Sequence, residues 1–189
     1  MRDLRWAIAG LVVGTTLLSG CSEKVEANDT LPLTSAAETT EALPDLGPAD
    51  FPVPDDARTK DAAGAEAFLR YWIDLLNHQR PLLDSDPLRA LGPECRDCLR
   101  IADNYDEAVA SSQRYEGGEL TLNDVTEPQL SGDEASITFG VRQEAVRLVD
   151  AAGNPVDDGL PVQTNLGSGI TLLWSEDDQS WLVSSVTLG

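Results

Sequence analysis

The chain has 189 residues with 33 acidic against 13 basic side chains, a formal charge of -20 at pH 7. An excess of that size argues against a nucleic-acid partner, because Lys and Arg neutralising phosphates supply most of such affinity. It also excludes attachment to an anionic lipid surface through a basic patch.

Arg2 and Arg5 precede an apolar run over residues 6–18 that is too short to cross a bilayer as a helix. A cleavable export signal over residues 1–20 is therefore expected. Its end, Leu18-Ser19-Gly20-Cys21, resembles the bacterial lipobox, in which small residues enter the peptidase in extended form and the cysteine is lipidated before the cut. The resemblance implies that Cys21 is the mature N-terminus and carries acyl chains such as palmitate. It places the protein on the extracytoplasmic side of the cell membrane. A single acyl chain binds only marginally, so stable anchoring implies a second.

Residues 21–58 are rich in Ala, Glu, Thr, Asp and Pro, with apolar residues scattered singly. Such a segment buries too little apolar surface to offset its conformational entropy and reads as a disordered tether. Pro44, Pro48, Pro52 and Pro54 stiffen its second half. Its reach is on the order of 30 Å.

Residues 59–189 are enough for one domain. Ala65, Phe68, Leu69, Trp72, Leu75 and Leu76 recur at spacings of three and four, which predicts a first helix capped by Thr59 or Asp61 and ended at 77–81 by Pro81. Asp84-Ser85-Asp86-Pro87 predicts a short second helix to Leu91. A third is expected over 94–112, with Cys98, Leu99, Ala102, Tyr105 and Val109 facing inward. After Gly117-Gly118 the pattern turns to strands. Leu120 and Leu122 alternate with polar residues, and so do Ala135, Ile137, Phe139 and Val141. A phase slip at 143–145 predicts a bulge, and 170–174 with 181–186 predicts a closing hairpin. The expected class is α+β, with three N-terminal helices packed on a bent antiparallel sheet of about four strands.

That order of elements resembles the cone-shaped fold of the nuclear transport factor 2-like superfamily. With the lipobox, the tether, Gly64-Ala65-Glu66-Ala67-Phe68, Tyr71-Trp72-Ile73-Asp74-Leu75-Leu76-Asn77, Asp86-Pro87-Leu88 and Cys95-Arg96-Asp97-Cys98, the chain resembles an uncharacterised family of actinobacterial lipoproteins. The resemblance implies fold and location and no activity.

Cys95 and Cys98, three apart at a helix start, are read either as a structural disulfide or as a redox pair. The staple is favoured, since no strand precedes them as a thioredoxin-like unit requires and Asp97 opposes a thiolate. With His78 they are too few donors for a closed zinc site, and 150–159 departs from calcium-loop spacing, so neither metal nor cofactor is expected. An enzyme on a cone needs a base near an aromatic hydroxyl inside the concave face. Tyr71, Asp74 and Glu144 are placed to supply these, and Trp72, Tyr105, Arg142 and Trp174 to line a pocket. Each has a plainer reading: Tyr71 and Asp74 as ordinary helix residues, Arg142 with Glu144 as a surface pair worth little, and the tryptophans as core.

The resulting expectation is a lipid-anchored, non-enzymatic protein of the cell envelope that binds a small apolar ligand or an envelope partner, with no oligomeric state implied. An isomerase or dehydratase of the cone type, and a thiol oxidoreductase using Cys95 and Cys98, are the alternatives.

Overall fold

The computed structural model describes residues 43–189. The expected signal over 1–20, the lipidated Cys21 and the tether up to residue 42 lie outside the described residues. What precedes the first helix from Leu46 onward is packed, which corrects the expected boundary at 58. Val53 and Ala57 are buried, and Leu46 and Phe51 pack against the core. Phe51 stacks on Tyr71 and on His78, with ring centroids 5.5 Å and 4.8 Å away. A single 3-10 turn, Asp55–Arg58, follows. The Arg58 guanidinium then ties the segment down by donating to the carbonyls of Pro44 (2.7 Å) and Asp178 (2.6 Å). Composition concealed this, because prolines and carboxylates at exposed positions mask a few apolar residues that find one shared surface.

Helix α1 (Ala62–Leu82) begins at Asp61, whose carboxylate accepts the Gly64 N–H at 2.7 Å and the Thr59 hydroxyl at 3.0 Å. Gly64 is needed there for space, since a Cβ would collide with the Thr59 carbonyl. All six residues of the expected stripe are buried. At about 1.5–3 kcal/mol for each large apolar side chain removed from water, this helix anchors the core. It does not end before Pro81. That proline sits in the last turn, where it forfeits one helical hydrogen bond, and the helix stops at Leu83 in the left-handed region (φ 54°), whose N–H donates to the Gln79 carbonyl.

Helix α2 (Asp86–Leu91) has its proline in the first turn as expected. Helix α3 (Arg96–Ala110) buries Cys98, Ala102, Tyr105 and Ala108. Val109, expected inward, is 57% exposed: the small Ala108 takes the inner place, one residue earlier. The Ser85 hydroxyl donates to Asp106 at 2.6 Å, linking the start of α2 to α3.

The chain then forms seven strands among the described residues, against the four expected: β1 (Arg114–Gly117), β2 (Leu120–Asn123), β3 (Gln129–Ser131), β4 (Glu134–Gln143), β5 (Val146–Val149), β6 (Gln163–Ser175) and β7 (Ser180–Leu188). β1 and β5 make a two-stranded antiparallel sheet. The other five form an antiparallel sheet in the order β2-β4-β6-β7, with β3 pairing the start of β4. Ala135, Ile137, Phe139 and Val141 line the inner face of β4 as the alternation predicts. The phase slip is a change of sheet: Glu144 and Ala145 leave β4, and β5 crosses to β1. The irregularity opposite it lies on β6, where Asn165 takes φ 60°. A second bulge near Ser184 in β7 keeps Val183 and Val186 both inward although they are three apart. No helix among the described residues is long and apolar enough to cross a membrane.

Candidate binding cleft

Three of the features above converge beneath the point where β4 gives way to β5. The end of α1, the side of α3 that carries Ile101 and Tyr105, and the β1–β2 corner border a cleft of about 310 Å³. Its apolar wall is made by Leu76, Ile101, Leu120, Val146, Leu160 and Leu188. Tyr105 of α3 and Tyr115 of β1, with centroids 6.0 Å apart, form the aromatic wall. Arg80 and Arg100 supply positive charge, and Asn104 and Gln143 neutral polar groups.

Arg80 continues the buried stripe of α1 four residues beyond Leu76, so the helix itself carries a guanidinium to the cleft. Gly118, at φ 81°, lets backbone pass beside it: a Cβ there would stand 3.5 Å from Arg80 Cζ and crowd Val146. Burial lowers the Arg80 pKa, which nearby Tyr105, Glu119 and Tyr115 partly offset. The guanidinium still stays charged at any physiological pH. Burial also pushes the phenols of Tyr105 and Tyr115 up, so both remain neutral O–H groups.

Two other hollows are less suited to a ligand. One, of about 520 Å³, lies open on the far side of Val146 and Leu160, and its one basic residue, Arg147, is already paired with Glu116 at 2.8 Å, leaving Asp158 as its other charge. The other, of about 350 Å³, is a groove between the Phe51 segment and α1.

Of the residues singled out from the sequence, only Tyr105 lines the cleft. Tyr71 and Asp74 border the Phe51 groove; the Tyr71 hydroxyl donates to the Phe51 carbonyl at 3.0 Å, and Asp74 is exposed. Glu144 accepts from Arg142 at 2.8 Å, a half-exposed pair lining none of the three hollows described above. Trp72 is fully buried in the core, and Trp174 packs edge-on against Trp181 with centroids 5.3 Å apart. The expected constellation is thus not assembled. In the sequence Gly118 marks only the boundary before the strands, and Arg80 and Tyr115 do not stand out, Arg80 because it looks like an ordinary basic residue in a last helical turn. Its place on the stripe, four after Leu76, was the available signal.

Cys95 and Cys98 form a disulfide with Cα atoms 5.2 Å apart, both sulfurs fully buried. Cys95 is also the N-cap residue of α3, its sulfur accepting the Cys98 N–H at 3.1 Å. Replacing both by alanine is expected to cost about 2 kcal/mol from loop-closure entropy alone. Urea melts of the double variant and of the wild type with and without reductant check this; a midpoint unmoved in both would show the bond is not a staple.

No curated protein matches the chain. Among solved structures, the intermembrane space region of the chloroplast protein ARC6 is similar at 17% identity and a TM-score of 0.51, over 69% of this chain and 97% of that one, a likeness of fold alone. Aln2 from a Streptomyces species aligns at 12% identity and a TM-score of 0.29, over 60% and 82%, too loosely to carry an argument. Over residues 50–187 the chain matches a family of unknown function, DUF6318, which takes in most of the packed segment, all three helices and nearly all of both sheets, and it belongs to that family.

Proposed function

We propose that this is a lipid-anchored protein of the cell envelope whose folded part, a cone of the nuclear transport factor 2-like type, is a non-enzymatic module that binds a small ligand. The observation that carries the binding reading is the cleft of about 310 Å³, walled by aliphatic and aromatic side chains with a few polar groups, the usual make-up of a ligand site. Support for a non-enzymatic role comes from Tyr71 and Asp74, which border the Phe51 groove with the Tyr71 hydroxyl already donating to the Phe51 carbonyl, and from Glu144, which lies outside that groove and is paired with Arg142. Burial of the disulfide weighs against the thiol oxidoreductase alternative. The cone reading is supported by three helices lying against an antiparallel sheet whose fourth strand breaks towards a second, smaller sheet.

The test is extraction of ligand from the full chain purified from envelope membranes, beside an Ile101→Trp variant that fills the cleft. A small molecule present in stoichiometric amount in the wild type and depleted in the variant is expected. Identical extracts from both would overturn the binding reading. Radiolabelled palmitate incorporated by the wild type and lost in Cys21→Ser checks the anchor.

A further inference from the structure

Resting on the reading of the cleft as a binding site, we infer that its ligand is an anion, a carboxylate on a compact apolar or aromatic body, held by Arg80 against the wall formed by the packed pair Tyr105 and Tyr115. Most arginines of the described residues already have an acceptor. Arg58 donates to carbonyls, and Arg70, Arg89, Arg100, Arg114, Arg142 and Arg147 each meet a carboxylate within 3.3 Å. Among the described residues Arg80 reaches no carboxylate within ion-pair distance and no hydrogen-bond acceptor, and it is half-buried, whereas Arg96, also without a partner, is exposed. Each Arg80 side-chain nitrogen keeps some solvent access. Taking a guanidinium partly out of water without an acceptor is unfavourable, and its planar fork of donors matches a carboxylate in two-point contact.

Charge over the rest of the molecule does not reverse this. The chain carries -20 overall, but exposed carboxylates beyond about 8 Å are screened at physiological ionic strength. What governs the cleft is close by: Arg80 and Arg100 inside it, with Arg100 engaged by Asp97 at 3.3 Å. Glu119 acts on Arg80 without reaching ion-pair distance, and Glu107 and Asp157 act on Tyr115. Both tyrosines, kept neutral, offer O–H donors that suit an anion and faces that suit a flat apolar body. Size limits the ligand. At roughly 30 Å³ for each water-sized unit, the cleft has room for about ten such units, enough for a compact two-ring body.

The experiment is calorimetric titration of the full chain in lipid nanodiscs with 2-naphthoate and with its neutral isostere 2-naphthamide, empty nanodiscs being subtracted. One-to-one binding of the acid, about ten- to a hundredfold tighter than the amide, is expected, as for charge-assisted hydrogen bonds. Arg80→Gln should erase the difference by weakening the acid and leaving the amide unchanged. Retained amide affinity in that variant shows that the cleft still folds, and Arg80→Lys should restore part of the preference. Equal binding of acid and amide by the wild type overturns the anion inference while leaving the cleft a ligand site. Binding of neither overturns it as well, and the ligand extraction described above then decides the broader reading on its own. Were anionic lipid headgroups the natural source, nanodiscs of phosphatidylglycerol would compete with 2-naphthoate where those of phosphatidylcholine do not; a free carboxylate is indifferent to the lipid.

Discussion

Trp181→Ala is expected to destabilise the fold by about 3–5 kcal/mol, the range for truncating a large buried aromatic. Trp181 is fully buried at the turn end of the β6–β7 hairpin, packs edge-on against Trp174, and donates from Nε1 to the Thr59 carbonyl at 2.9 Å. That hydrogen bond spans 122 positions of sequence and fastens the hairpin to the start of α1. Total stability of a domain this size is about 5–15 kcal/mol, so the loss takes away a large share of it. A fall in melting temperature of roughly 6–20 °C, at ~2–4 °C for each kcal/mol, is the readout. Trp181→Phe keeps most of the volume and orphans only the Thr59 carbonyl, so about 1–3 kcal/mol is expected. Trp72→Phe is the control: Trp72 is equally buried but its Nε1 has no acceptor, so losing that N–H removes an unsatisfied donor. The Trp72→Phe loss should be the smaller of the two phenylalanine losses in parallel urea melts. The reverse order would mean that the Trp181 hydrogen bond contributes nothing.

A second large effect is expected at Asn77. Its side-chain amide accepts the Leu120 N–H and donates to the Leu120 carbonyl, both at 2.8 Å. β2 is an edge strand, paired on one side with β4. The backbone groups of Leu120 that point away from β4 therefore have no neighbouring strand, and α1 supplies their partner through one side chain. Asn77→Ala leaves a part-buried N–H and C=O unpaired together, at about 1–2 kcal/mol each because water still reaches them, so a loss of about 2–4 kcal/mol is expected. Asn77→Asp keeps the acceptor for the N–H but sets a carboxylate oxygen against the Leu120 carbonyl, and should lose nearly as much at neutral pH. Hydrogen exchange at the Leu120 amide gives the local reading. Faster exchange there in both variants, with less change in β6, is expected; unchanged protection at Leu120 would show that Asn77 does not hold the edge. Because Leu120 also lines the cleft, the same variants should loosen the binding site.

Much of this architecture was legible in the order of residues. The α1 stripe, the proline-led start of α2, the inward alternation of β4, the β6–β7 hairpin and the Cys95–Cys98 pair all follow from local causes. Side-chain periodicity, caps and a disulfide between residues one turn apart need no knowledge of distant chain. What failed depended on distant partners. Residues 46–58 resemble a tether until Tyr71 and His78 offer Phe51 a surface and the 178–179 turn offers Arg58 its carbonyls. The helix runs through Pro81 because packing outweighs one lost hydrogen bond. Likewise, the phase slip at 143–145 shows that the strand is interrupted, yet only the pairing of β5 with β1 shows that it changes sheet.

The site divides the same way. Sequence by itself determined the class of the fold, the helix stripe that brings Arg80 inward and the cysteine staple, since these depend on residues within a few turns of each other. Tertiary structure alone decided that Glu144 lies outside the groove that Tyr71 and Asp74 border, and that Arg80, Tyr105 and Tyr115 line one cleft. Whether a charged or aromatic group serves a site depends on which groups the fold sets beside it, and those neighbours come from segments whose separation along the chain carries no local signal.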